Sequence, residues 1–259
     1  MNNIFKTKKI KLEVEGNSLE ILIPRSKRIE KVIRRREFTS KKILETRELF
    51  KLIGEPRNIV DIGANIGYLA THYQLAANPD VIYCFEPSSI NYGYLKKNTL
   101  KYKNIFTFNT GLSDKKTSAV ISMPSENQNI RVLKAKDNTG FLSMYGESNV
   151  KSEKIELTSL DLWQEKENVD LSGFFIKIDV EGNELNVLKG AGMALKRNNT
   201  FQIEFNPACL NMSGTTSDEI IQFMDGYNYV PFIFIDGQLE KIKDKHLFEN
   251  VVDVIFKKK

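Results

Sequence analysis

Apolar residues recur along this chain in two rhythms, and the switches between them predict the order of its elements. Residues 8–23 alternate around Glu15, Gly16 and Asn17, with Ile10, Leu12 and Val14 before the turn and Leu19, Ile21 and Ile23 after it, the pattern of a β-hairpin. Ile43, Leu44, Leu49, Leu52 and Ile53 then fall at helical spacing over 40–53, with Thr39 or Ser40 as a cap and Gly54 and Pro56 as terminators. From there strands and helices take turns. Strands are expected over 59–62, 81–85, 105–109, 174–179 and 201–205, and helices over 66–77, 88–100, 183–195 and 217–226. Such alternation predicts parallel strands joined by right-handed crossovers. Two further strands, 229–235 and 251–256, are separated by Asp236, Gly237 and a charged stretch and are expected to pair antiparallel at one edge. The expected fold class is α/β, a seven-stranded Rossmann-like sheet preceded by an N-terminal β-hairpin and helix.

The alternation fails between residues 113 and 160. Val120, Ile121, Ile130, Val132 and Leu133 suggest strands, but 124–129 and 136–151 are polar and rich in Ser, Asn, Gly and Glu. An insertion at about 115–158, beside the carboxyl ends of the strands, is where substrate-shaping loops are found. Its Arg131, Phe141, Met144 and Tyr145 suit either a glycan-binding wall or a loop with no ligand contact. The expected organisation is residues 1–55 as hairpin and helix, a lid or dimer surface, followed by a catalytic domain over 56–259.

Composition narrows the picture further. A chain of 259 residues, 41% hydrophobic, holds one α/β domain with a substantial core. The net charge of +5 gathers in Lys6, Lys8 and Lys9, in Arg34 to Arg36, in Lys41 and Lys42, and in Lys257 to Lys259. A solvated surface accounts for most of this, leaving room for an anionic acceptor or anionic lipid. Nucleic acid is not expected as a partner, because the basic clusters are not interleaved with aromatics in a stacking module. Two cysteines, Cys84 and Cys209, imply neither a disulfide framework nor a zinc site. The absence of an apolar leader and of any run long enough to span a membrane gives a cytoplasmic expectation.

The richest segment runs from Ile59 to Glu86. An apolar strand (Ile59, Val60, Ile62) feeds the turn Gly63-Ala64-Asn65-Ile66-Gly67, and Glu86 ends the next strand 25 residues after Asp61. That layout grips a nucleoside. The glycines are spaced G-x-x-x-G without the middle glycine of the dinucleotide fingerprint, and Asp61 stands two residues ahead of the first. A pyrophosphate wants exposed amides and no nearby anion. The ammonium of S-adenosylmethionine, in contrast, is attracted by a carboxylate such as Asp61, while Glu86 suits both ribose hydroxyls. S-adenosylmethionine is therefore favoured over NAD. The plain alternative is a strand-turn-helix that binds nothing, with Asp61 capping a helix.

A second site lies in the run Phe174-Phe175-Ile176-Lys177-Ile178-Asp179-Val180-Glu181-Gly182. This is apolar enough to be a central strand, yet Lys177 and Asp179 share one face near its carboxyl end, and burying them is costly without partners. A strand in this topology ends at the ligand crevice, so the charges point to a site. The alternative is a salt bridge that closes the sheet, with Glu181 or Asn183 capping the next helix. Glu204 ends the strand Phe201-Gln202-Ile203-Glu204-Phe205 and should project into the same crevice. Two carboxylates at adjacent strand ends act as base and orienter, or hold a divalent cation, and the pattern leaves both open. Of the two histidines, His72 reads as a packed or surface residue rather than a catalytic one.

Taken in order, Asp61 to Gly67, Phe85-Glu86-Pro87, Gly111-Leu112-Ser113-Asp114, Ser159-Leu160-Asp161, Lys177 to Gly182 with Glu184, Val187 to Ala191, and Ile203-Glu204 resemble the FkbM family of S-adenosylmethionine-dependent methyltransferases. The resemblance runs from about residue 55 to the C-terminus. It implies a class I methyltransferase fold and methylation of a hydroxyl on a sugar, glycan or natural-product scaffold. By position, it implies that Asp61, Gly63, Ala64, Asn65 and Gly67 surround the methionine part, Glu86 holds the ribose, and Ser113 and Asp114 lie beside the adenine. Lys177, Asp179 and Glu181 would face the transferred methyl group and the acceptor. Asp179 is then the expected general base or orienter, Lys177 the group that tunes it, and Glu181 or Glu204 its support. Readings of other classes are a non-catalytic nucleoside-binding scaffold and an NAD-dependent oxidoreductase.

Overall fold

The computed structural model describes residues 7–14, 17–24, 30, 40–123, 151–242 and 248–259. The expected hairpin turn at Glu15 and Gly16, the cap at Thr39, and Ile130, Arg131, Val132, Leu133, Phe141, Met144 and Tyr145 lie outside the described residues.

The N-terminal alternation folds as the antiparallel pair β1 (Thr7–Val14) and β2 (Asn17–Pro24), with Ile10 opposite Ile21. Helix α1 (Ser40–Leu52) follows. The alternating core then gives β3 (Asn58–Ile62), α2 (Tyr68–Ala77), β4 (Val81–Phe85), α3 (Ser89–Thr99) and β5 (Ile105–Phe108). A separate small sheet consists of β6 (Gly111–Leu112), β7 (Thr117–Met123) and β8 (Lys151–Thr158) in the order β6-β8-β7. The insertion expected over 115–158 therefore leaves and rejoins the domain as a β-ribbon. Next come α4 (Leu160–Glu167), β9 (Phe174–Ile178), α5 (Glu184–Lys189), α6 (Gly192–Lys196), β10 (Thr200–Phe205), α7 (Pro207–Ser213), α8 (Ser217–Gly226), β11 (Tyr229–Ile235), β12 (Gln238–Lys241) and β13 (Val252–Lys258).

The main sheet has eight strands, not the seven expected, in the order β12-β11-β13-β10-β9-β3-β4-β5. The run β10-β9-β3-β4-β5, which ends at one edge, is parallel throughout, as the alternation requires. The extra strand is β12. Asp236 and Gly237 both take positive φ, 49° and 77°, and join Ile235 to Gln238 by a two-residue hairpin turn whose twist matches the strands it links. Strand β13 is antiparallel, as expected, but it does not lie at an edge. It inserts between β10 and β11, which its apolar alternation on both faces allows. The helix expected over 183–195 is broken in two at Gly190, where a Cβ would collide with the carbonyl oxygen of Ser113.

Strand alternation sorts the core into two layers. On one face, Leu49 and Phe50 of α1, Ala70 and Tyr73 of α2 and Leu95 of α3 pack on Ile59, Ile82, Cys84, Phe175 and Ile255. On the other, Trp163 of α4, Val187 and Leu188 of α5 and Met224 of α8 pack on Val60, Phe85, Ile176, Ile178 and Ile203. Lys177 is two residues from Phe175 and so faces the α1 and α2 layer. Asp61, Gln202, Glu204 and Asp253 share that face by register.

The hairpin packs Ile10, Leu12, Leu19, Ile21 and Ile23 against Ile43, Ile66, Ala76 and Tyr94. Buried Asn98 on α3 fastens it. Its Oδ1 accepts from Leu22 N at 2.8 Å, and its Nδ2 donates to Leu22 O at 2.9 Å and to Ile66 O at 2.7 Å. One amide thus mimics a strand partner for β2 and holds the turn after β3. Asn98→Leu should lower unfolding stability in urea by about 2 kcal/mol, the cost of unpaired, partly buried backbone groups. An unchanged midpoint would show that the hairpin is held by its apolar face alone.

Candidate active site

Gly63 is forced by its surroundings. Its N–H and that of Ala64 donate to Phe85 O at 3.0 and 2.9 Å, which folds the turn over the end of β4 at φ 86°. A Cβ there would collide with the carbonyl oxygen of Asp179, so a bare backbone is needed for the loops after β3 and β9 to meet. Where they meet, a cavity of about 1370 Å³ opens over the carboxyl ends of the parallel strands.

Its walls come from distant parts of the chain. Gly63, Ala64, Asn65, Glu86 and Pro87 form one side. Leu112, Ile121, Ile155 and Leu157 of the small sheet form another. That sheet is pinned beside Glu86 by Glu153, which accepts from Ser89 N at 2.8 Å and Ser88 Oγ at 3.1 Å. Across the cavity stand Lys177, Asp179, Glu181, Gln202, Glu204 and Asp253, roofed by Lys42 and Thr46 of α1 and by His72 and Tyr73 of α2.

The expected nucleoside residues divide by position. The Glu86 carboxylate accepts from the backbone N–H of Asn65 and of Ser88, both at 2.9 Å, and burial lifts its pKa to about 7 against those two bonds. Asp61 does not line the cavity: it lies beneath the turn, 1% exposed, with Oδ2 lacking any hydrogen-bond partner among the described residues. Burial raises its pKa to about 7, with Lys177 opposing and Asp179 adding to the shift. Gly67, at φ 81°, does not line the cavity and faces Leu95 of α3. Ser113 and Asp114 do not line it either. Ser113 N donates to Thr158 O at 2.8 Å, and both residues abut Gly190 on the far side of the sheet.

Lys177, Asp179, Glu181 and Glu204 are all brought together at the cavity. Lys177 is 3% exposed, and its Nζ lies 2.6 Å from Asp253 Oδ1 and 3.9 Å from Asp179 Oδ2. Burial works against its charge, but Asp253, Asp179 and Glu204 outweigh that and raise its pKa well above the ordinary value. Asp253, its side chain half-exposed, is held below the usual carboxylate range because the charge and hydrogen bond of Lys177 overcome its partial desolvation. Asp179 is raised, burial outweighing the pull of Lys177 and a hydrogen bond with Glu204. Burial and the Asp179 charge lift Glu204 to about 9, so both carboxyls of this hydrogen-bonded pair are pushed towards their neutral forms.

Glu181 takes a positive φ of 54°, an uncommon conformation for a side-chain-bearing residue, and accepts from Cys209 Sγ at 3.0 Å. Burial and the charge of Asp179 lift its pKa to about 7. Glu184 is a clamp: its Oε1 accepts from Val180 N and Gly182 N, both at 3.1 Å, and fixes the turn that presents Glu181. Among the described residues, no group of three or more His, Cys, Asp and Glu side chains is placed to hold a metal ion. The positive charge within this carboxylate cluster is the ammonium of Lys177.

Two contributors were missed in the sequence. Asp253 interrupts the apolar run Val251-Val252-Asp253-Val254-Ile255-Phe256 as Lys177 interrupts its own strand, and that shared oddity is the signal that could have paired them. Gln202, on the register partner of Lys177, carried no such signal. His72 is a packed histidine, with Nε2 2.8 Å from Thr46 Oγ1 and its pKa lowered to about 4 by burial and the Lys42 charge, yet it also lines the cavity.

A family model described as the methyltransferase FkbM domain matches residues 61–231. No curated protein matches the chain. Among solved structures, the methyltransferase FkbM from Methylobacillus flagellatus KT is similar at 15% identity and a TM-score of 0.46, over 78% of this chain and 44% of that one. This chain therefore spans less than half of that protein's length. TYW2 from M. jannaschii, in complex with AdoMet, is similar at 12% identity and a TM-score of 0.41, over 97% of this chain and 87% of that one. The 16S rRNA methyltransferase RsmC from T. thermophilus, in complex with AdoMet and guanosine, is similar at 9% identity and a TM-score of 0.46, over 98% of this chain and 51% of that one. The family match begins at Asp61, takes in the glycine turn, Glu86, the 177–182 segment and Glu204, and spans well over half of the sequence. The chain belongs to the methyltransferase FkbM domain family.

Proposed function

We propose that this protein is an S-adenosylmethionine-dependent O-methyltransferase acting on a hydroxyl of a small-molecule or glycan acceptor. The observation that carries this reading is the set of carboxyl groups of Asp179, Glu181 and Glu204 around Lys177, in one cavity with the glycine turn and Glu86. The residues present fit the cofactor. Asp61 keeps a buried carboxylate oxygen without a hydrogen-bond partner beneath the turn, behind the cavity wall, from where it would act on an ammonium group through water or by its charge. Gly63 brings bare backbone to the cavity, and Glu86 keeps acceptor capacity for ribose hydroxyls. The carboxylate-rich lining favours a cationic ligand over a pyrophosphate.

When bound, S-adenosylmethionine supplies a methyl group on a sulfonium, already attached to a good leaving group. What remains for the chain is to position the acceptor oxygen and receive its proton. Asp179 is the proton acceptor in this reading. Glu204, hydrogen-bonded to Asp179, orients it. Lys177 is a tuning charge, and Glu181 stands at the rim of the same cluster. The α1 and α2 roof, with Thr46, His72 and Tyr73, forms the acceptor wall. Both cysteines are buried, and no helix among the described residues is long and apolar enough to cross a membrane.

Asp179→Asn should cut turnover by about 10²-fold or more while S-adenosylmethionine binding, read by calorimetry, is retained. Unchanged turnover would remove Asp179 as the base. Glu86→Gln should weaken S-adenosylhomocysteine binding about tenfold, the worth of one hydrogen bond to a charged acceptor. Tight binding of NAD with none of S-adenosylhomocysteine would sink the cofactor assignment.

Binding should also depend on pH with a definite sign. Asp61 and Glu86 titrate at about 7, and a cationic ligand favours their ionised forms. Affinity for S-adenosylmethionine should therefore rise with pH up to about 7 and flatten above it, with proton release on binding. Titrations in two buffers of different ionisation enthalpy measure that release, and proton uptake would contradict it.

A further inference from the structure

The placement of Lys177 is lopsided. Its ammonium lies 2.6 Å from Asp253 and 3.9 Å from Asp179, although Asp179 is on its own strand. Asp253 comes from β13, directly across the antiparallel pair from Glu204, and the family match ends before it. Gln202, the register partner of Lys177 on β10, also hydrogen-bonds to Asp253 and steadies it. Of the two carboxylates, Asp253 has the short contact to the ammonium and Asp179 the long one.

We propose that Asp253 is a positioning residue for Asp179: by taking the Lys177 hydrogen bond, it holds the ammonium off Asp179 and leaves that carboxylate a better proton acceptor. Two effects act in the same direction. The Asp253 charge disfavours ionisation of Asp179, and the anchored Lys177 is kept from favouring it at close range. The other groups around Asp179 are Glu204 on β10, which is hydrogen-bonded to it, Glu181 and Glu184 after β9, and Asp61 on β3. On the roof, Tyr73 of α2 faces Lys177, and Lys42 of α1 acts on Asp253. None of these carboxyl groups competes with Asp253 for the short contact to Lys177 Nζ.

The role of Asp179 as base rests on the proposed function, but the positioning by Asp253 does not, and the test keeps them apart. Protein carrying 13C in its aspartate carboxyl carbons is titrated by NMR without cofactor, and the resonance lost in Asp179→Asn identifies Asp179. In Asp253→Asn the Asp179 midpoint should fall by about 1 pH unit or more, as Lys177 turns towards it. Asp253→Glu, which keeps the charge, should hold the midpoint near that of the parent. Asp253 is 49% exposed, so Asp253→Ser is a second neutral variant that needs no repacking and should move the midpoint the same way. A midpoint unchanged in the neutral variants overturns the proposal. In the pH profile of turnover, the acid limb of Asp253→Asn should move down by the same amount. If the NMR midpoint moves while Asp179→Asn retains full turnover, the positioning stands and the base assignment falls.

Discussion

An ammonium held out of water in the middle of a parallel sheet is the constraint around which this protein's active end is organised. Lys177 is tolerated there only because three strands bring carboxyl groups to it: β9 supplies Asp179, β10 Glu204, and β13 Asp253. Removing one member of a buried ion pair leaves an uncompensated charge and costs about 3–5 kcal/mol in proteins generally. The same low-polarity setting that makes the cation expensive lifts Asp179 and Glu204 towards their neutral forms. Stability and chemistry thus depend on the same groups. The sheet cannot close at this end without assembling a set of carboxyls whose protons are easily exchanged.

The glycine turn meets this cluster from the other side. Gly63 admits the carbonyl of Asp179, and Asp179 N in turn donates to Ile62 O at 3.0 Å, so the strand that carries the glycine turn and the strand that carries the charges end in register. Glu86 is fixed by two backbone amides, one of them inside that turn. Few of the polar groups in this region are free to choose another arrangement. A site built in this way is organised before any ligand arrives.

Much of this was legible in the sequence, for particular reasons. β4, α8 and β11 have the spans that their apolar spacing and flanking turn residues indicate. Lys177 and Asp179 announced themselves as charges in an apolar run. What escaped was whatever depends on contacts between distant segments. The break at Gly190 answers to Ser113, more than seventy residues earlier, and no local pattern encodes that approach. The position of β13 inside the sheet is a matter of topology, not of propensity. Asp236 and Gly237 did carry a local hairpin signal, and the eighth strand follows from it. Ser113 and Asp114 sat in a motif, yet their surroundings on the far side of the sheet come from α5 and α6.

Part of the roof over the cavity comes from segments that the family match leaves out. Lys42, Glu45, Thr46, Leu49 and Phe50 of α1 line it ahead of residue 61, and residues 249–253 line it beyond residue 231. Segments from both sides of the matched region therefore meet over a centre whose glycine turn, Glu86, Lys177, Asp179 and Glu204 lie within it. Descent can rewrite such segments independently of the glycine turn and of Glu86. Relatives that diverge in these two stretches would present different enclosures to the same chemistry, and the margins of the sequence become the natural place to look for what distinguishes one member from another.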